Sequence, residues 1–129
     1  MRTPRSSYGG AAVEFAIVLP VLLLLVLGAI DWGWYFFVEQ VVTNAAREGA
    51  RAGSLQGGTL SDAEDQCQAY LTAASLDPSK ITGACTGTAT TVSGAPAVQV
   101  TVSYASGSLT GFMGTLVPTN ATAVAVMRN

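Results

Sequence analysis

Histidine is missing from this chain altogether. Its absence removes the commonest general base, proton shuttle and metal ligand together. Charge is scarce too: 11% of the residues are charged, six basic and eight acidic, for a formal net charge of -2. That balance argues against a nucleic-acid partner. There is no Gly-rich phosphate loop, no nucleophile elbow and no metal-ligand set, so no catalytic residue, metal or cofactor is expected. An enzyme would need an unfamiliar carboxylate site. Cysteine is limited to Cys67 and Cys85, without a Cys-x-x-Cys pair.

Apolar residues, in contrast, make up half of the 129. The excess is concentrated near one end, in the uncharged run from Phe15 to Ile30, FAIVLPVLLLLVLGAI. As a helix these residues extend roughly 24 Å, slightly less than a hydrocarbon core of ~30 Å. Past Asp31 the run continues through Trp32, Trp34, Tyr35, Phe36, Phe37 and Val38, which makes it long enough to span. Indole and phenol rings favour the wet edge of a bilayer, so this aromatic cluster reads as an interfacial belt, with Asp31 at the interface beside the tryptophans. Pro20 lacks an N–H and opposes the carbonyl of Ala16, so loosening or a kink is expected near residues 16–20, though membrane helices tolerate proline.

Arg2 and Arg5 precede the span. The positive-inside rule places the N-terminus in the cytoplasm and residues from about 40 onward outside. A secretory signal peptide would carry its small residues after the apolar core. Here Gly9, Gly10, Ala11 and Ala12 come before it, and bulky aromatics follow, so the helix is expected to be retained. Glu14 stands directly before the span. A carboxylate there either has a partner or task, or rests solvated at headgroup level.

The helical pattern continues to about Gly53. Val38, Val41, Val42, Ala45, Ala46, Gly49, Ala50 and Gly53 recur at three- and four-residue spacing. Ala45, Gly49 and Gly53 form a small-residue strip that permits close backbone approach. Packing against the chain's own domain is favoured over packing against a partner helix, because an amphipathic helix first needs its own core.

Ser54 to Thr59 is a Gly-rich break. Ser61 is expected to open a second helix, with Glu64 completing a capping box and Asp62 and Asp65 complementing the dipole. These acids lack the spacing of a calcium loop. The helix should run to about Leu76 and stop at Asp77-Pro78. Three strands are expected at Thr86–Val92, Ala97–Tyr104 and Ala121–Met127. Val98, Val100, Val102 and Tyr104 alternate with Gln99, Thr101 and Ser103, as in a sheet with one buried face. Ser93-Gly94-Ala95-Pro96 reads as a hairpin turn. Ser106 to Pro118 is a longer connection whose Leu109, Phe112, Met113 and Leu116 are expected to fold back over the core. The fold class is therefore α+β: a long N-terminal transmembrane and amphipathic helix, a short second helix, and a small three-stranded antiparallel sheet. Residues 54–129 alone are a thin core. A disulfide between Cys67 and Cys85 is expected to staple it, outside the cytoplasm where such bonds persist.

The segment GGAAVEFAIVLPVLLLLVLGAIDWGWYFFVEQVVTNAAREGARAG, residues 9–53, resembles the N-terminal region of the TadE-like family. The parts that carry the resemblance are glycine ahead of the Glu14-Phe15 pair, Leu19-Pro20 inside the apolar run, and the block from Asn44 to Arg51. Members are minor pilins or pseudopilins of the tight-adherence (Flp) pilus, a type IV-like system. The resemblance implies a pilin-like fold and a leader, residues 1–9, removed by a prepilin peptidase between Gly9 and Gly10; a cut after Gly10 is the alternative. It implies an assembly role for Glu14 and Phe15, with residues 10–38 as membrane and assembly helix and 39–129 as the outer domain. The implied partners are other pilin or pseudopilin subunits, the peptidase, an inner-membrane assembly platform and the membrane. The implied location is the bacterial inner membrane, then the pilus or cell surface. The alternative function is a membrane-tethered binding or adhesion module that never polymerises.

Overall fold

The computed structural model describes residues 8–81, 83 and 85–128. The expected leader therefore lies mostly outside the described residues, as do Arg2 and Arg5. Helix α1 (Tyr8–Ser54) runs unbroken for 47 residues, through Pro20, a length of about 70 Å. Helix α2 (Leu60–Ala73) follows, then a 3-10 turn at Pro78–Lys80. Strands β1 (Thr86–Val92), β2 (Ala95–Ala105) and β3 (Asn120–Arg128) make one antiparallel sheet in the order β1-β2-β3. The architecture is α+β, with both helices against one face of the sheet.

Alternation on β2 decides which face. Val98, Val100, Val102 and Tyr104 are all buried, while Gln99, Thr101 and Ser103 are partly exposed. From α1, Val38, Val42, Ala45, Ala46 and Ala50 are fully buried against this layer; from α2, Ala63, Cys67 and Leu71 are. The last three recur every four residues, one stripe of a helix.

The close approach of α1 depends on its glycines. A Cβ on Gly49 would lie 2.7 Å from the carbonyl oxygen of Ala63 and 2.9 Å from Cys67 Cβ. On Gly53 it would lie 2.9 Å from Ala63 Cβ and 3.0 Å from Val98 Cγ1. The small-residue strip is thus occupied by α2 and β2 of the same chain.

Three local expectations are corrected. First, α2 is capped by Thr59 and Asp62, not by Ser61 and Glu64: Asp62 N–H donates to Thr59 Oγ1 at 3.1 Å, and Thr59 N–H donates to Asp62 Oδ2 at 2.8 Å. Glu64 instead accepts the N–H of Gly87 at 2.9 Å and joins α2 to β1. Sequence spacing alone did not separate the two boxes, because both have a hydroxyl three residues ahead of an acid. Second, α2 stops at Ala73 rather than near Leu76. Ser75 takes a left-handed φ of 59°, Leu76 N–H donates to Leu71 O at 3.2 Å, and Ser75 N–H donates to Thr72 O at 3.0 Å. This C-terminal hydrogen-bond pattern turns the chain so that Leu76 joins Leu71 in the core. Third, the hairpin turn is only Ser93-Gly94, with φ of 52° and 80°. Two consecutive positive φ values make the tight turn whose twist matches antiparallel strands. Ala95 and Pro96 already pair with Val92 and Thr91, and Pro96 is exposed near the strand's start, where a missing N–H is tolerated.

Cys67 and Cys85 form a disulfide, closing 18 residues of chain between α2 and β1.

Candidate functional site

Two halves of α1 meet different surroundings. Residues 9–26 are exposed along the whole turn of the helix, including Phe15 at 63% and Leu25 at 68%. No other part of the described chain covers them as a core would. From Gly28 onward the chain's own loop and domain close over one face. Burial of large apolar side chains is the main favourable term in folding, and an uncovered helix of this composition has the length and character of a membrane span.

Glu14 and Phe15 lie on the uncovered part, on the first turns of α1. Gly9 and Gly10 are also there, and a Cβ on either would meet nothing within 4 Å. These four residues are therefore free of the folded domain. Ala45, Gly49 and Gly53 lie at the other end and face inward. The fold does not bring the two groups together; they are separated along one helix by more than 40 Å.

The residue whose role sequence reasoning missed is Asp31. It was expected at an interface beside the tryptophans; it is fully buried. Its carboxylate accepts from Ser108 Oγ at 2.9 Å, Thr110 N–H at 2.8 Å, Thr110 Oγ1 at 2.7 Å and Met113 N–H at 3.3 Å. The loop from Ser106 to Pro118 is thus folded around a single carboxylate on α1. A buried carboxylate is tolerated only when hydrogen bonds replace its water, and four do so here. The signal in the sequence was an acid inside an apolar run, together with a distant Ser-x-Thr pair; no spacing rule joins residues so far apart.

The same loop corrects a second expectation. Leu109, Phe112 and Leu116 do not fold back over the core; they are exposed at 59%, 57% and 66%. The loop seats on α1 instead. Met113 Cε lies 3.2 Å from where a Cβ on Gly28 would be. Phe112 borders an apolar depression with Pro20, Leu23, Leu24 and Leu27. Trp34 Nε1 donates to the carbonyl of Ser106 at 3.3 Å and marks the loop's base. Around it the aromatic rings pair, Trp32 with Phe36 at 5.7 Å and Trp34 with Phe37 at 5.6 Å between centroids.

Residues 9–51 match the family described as TadE-like protein. The match covers a third of the chain, and over that stretch the sequence is similar to the family. The matched segment is nearly all of α1: the uncovered apolar half, Asp31, and the face that packs on the domain. The TadE-like family points to a protein associated with the tight-adherence pilus, and it is not known as enzymatic. Among the described residues one helix, at the N-terminal end, is long and apolar enough to cross a membrane, which fits a single-pass membrane protein. No curated protein and no solved structure matches the chain.

Proposed function

We propose that the chain is a minor pilin or pseudopilin of a tight-adherence pilus and not an enzyme. Before assembly, residues 10–38 hold it in the bacterial inner membrane, with the N-terminus cytoplasmic and residues 39–129 outside. The leader, residues 1–9, is removed by a prepilin peptidase. The subunit then packs by α1 against other pilin or pseudopilin subunits at an inner-membrane assembly platform. The observation that carries this reading is the division of one TadE-like helix into a half packed on its own domain and a half, residues 9–26, that stays exposed among the described residues. A helix of that kind suits two successive apolar environments, the bilayer and a bundle of like helices.

Glu14 is the residue on which the assembly role turns. A carboxylate at the edge of the hydrocarbon costs several kcal/mol if unpaired and far less beside a cation. Cleavage after Gly9 creates such a cation, the amino group of Gly10. In an assembly, Glu14 of one subunit meets that amine on a neighbour and sets the axial register. Fractionating pili from cells carrying Glu14→Ala tests this. The variant is expected to insert and be processed yet be missing from the pilus fraction; normal incorporation removes Glu14 from the mechanism. N-terminal sequencing of the native protein reads the cut, after Gly9 or Gly10, and an intact leader instead favours a tethered module that does not polymerise.

A further inference from the structure

We propose that the loop from Ser106 to Pro118 enters the outer leaflet of the membrane, with Phe112, Leu109 and Leu116 among lipid acyl chains. The inference rests on the reading that α1 crosses the bilayer, and it adds a second membrane contact, made by the outer domain.

Depth along α1 carries the argument. With Glu14 at the inner edge, a hydrocarbon core of ~30 Å takes up about 20 helical residues and ends near residue 34. That level is the aromatic belt, where Trp34 holds the carbonyl of Ser106. Phe112 borders Pro20, Leu23, Leu24 and Leu27, and these lie about 10–20 Å below that edge at the helical rise. The folded loop does reach below it: Met113 Cε lies 3.2 Å from where a Cβ on Gly28 would be, at a level about 9 Å below that edge. Keeping Phe112 in water would require the hydrocarbon to end no higher than about Leu27, the upper rim of that depression. The span would then draw in Glu14 and the small polar-side residues before it, putting a carboxylate in hydrocarbon to spare an apolar loop. The exchange favours immersing the loop.

Irregular backbone is tolerated at such depth only when its polar groups are satisfied within the protein. The loop meets this condition at its tip. The N–H groups of Thr110 and Met113 donate to Asp31, that of Gly111 to Ser108 Oγ at 2.8 Å, and that of Phe112 to Thr110 Oγ1 at 3.2 Å. Toward the base, the N–H groups of Leu116 and Val117 donate to Met113 O at 2.8 and 3.1 Å. Asp31 itself is closed off from solvent. The loop also carries no charge: no Asp, Glu, Lys or Arg occurs between Lys80 and Arg128. A water-exposed loop has no need to wrap its donors around a buried carboxylate while turning three large apolar side chains outward.

The test uses the full chain, its disulfide intact, in phosphatidylcholine–phosphatidylglycerol vesicles. Single nitroxides are placed at Phe112→Cys, Leu116→Cys, Val18→Cys on the span and Val124→Cys on the outer face of β3. Collision with oxygen and with a water-soluble nickel chelate is measured for each by electron paramagnetic resonance. The labels at 112 and 116 are expected to match the label at 18, oxygen-accessible and shielded from nickel, with the label at 124 the reverse. If 18 is shielded but 112 and 116 meet nickel, the loop proposal is overturned and the span stands. If 18 also meets nickel, the span reading fails and the loop proposal falls with it. Shielding of 112 from both probes that disappears on dilution with lipid assigns the surface to a second copy of the chain, and overturns the lipid assignment.

Discussion

Asp31 and Thr110 are joined twice, through the Thr110 N–H at 2.8 Å and its hydroxyl at 2.7 Å, across 79 positions of sequence. The pair ties the loop after β2 to the middle of a helix that begins almost a hundred residues earlier in the chain. Removing the carboxylate leaves buried donors unpaired, at about 1–3 kcal/mol each. Asp31→Ala is therefore expected to destabilise the domain by several kcal/mol and to speed amide exchange at Thr110 and Met113 first. Asp31→Asn keeps one acceptor oxygen and should fall between. Denaturant unfolding with residue-resolved hydrogen exchange measures both, and unchanged exchange at those two amides contradicts the bracing role.

Gly49 is expected to resist the substitution that helices usually welcome. Alanine gains about 1 kcal/mol of helix propensity over glycine. Here its Cβ would lie 2.7 Å from backbone, the Ala63 carbonyl oxygen, and overpacking of that kind costs about 1–3 kcal/mol. Gly49→Ala should lower the melting temperature, whereas Gly33→Ala, with nothing within 4 Å of its Cβ, should not. Equal effects at the two sites would argue against close packing of α1 on α2.

Replacing Cys67 and Cys85 together by serine is expected to cost on the order of 3 kcal/mol, since the bridge closes a loop of moderate length in a small core. Thermal unfolding of the double variant against the oxidised parent measures it. A melting temperature that does not move would show that the packing of α2 on the sheet suffices alone.

The Thr59–Asp62 cap gives a pH-dependent prediction. The side chain and N–H of Thr59 hold the Asp62 carboxyl below its ordinary value, and the N–H and hydroxyl of Ser79 do the same for Asp77. A folded-state pKa that is depressed stabilises above the unfolded value of about 3.9 and is lost as pH falls through the folded value. Stability should therefore drop below about pH 4, with a smaller drop in Asp62→Asn. Thr59→Ala should cost about 1 kcal/mol at neutral pH. An identical acid limb in Asp62→Asn and the parent would remove the cap as its source.

Much of this protein is determined by local pattern. The uncharged run after Glu14 dictates a helix that is apolar on every side, because the sixteen residues from Phe15 to Ile30 offer no polar face. Alternation in β2 names its buried residues, since successive side chains point to opposite faces. The four-residue spacing of Ala45, Gly49 and Gly53 announces close approach, and the tertiary structure supplies what approaches: Ala63, Cys67 and Val98. Cap choice between Thr59 and Ser61 needed three dimensions, because two equivalent hydroxyl–acid pairs overlap and Glu64 is engaged by Gly87. The role of Asp31 needed them most. A carboxylate in an apolar run reads as interfacial when only its neighbours in sequence are known. Its partners, Ser108, Thr110 and Met113, lie on the connection between β2 and β3 that the sheet holds against α1, so a contact between residues this far apart is written in the fold and not in any local spacing.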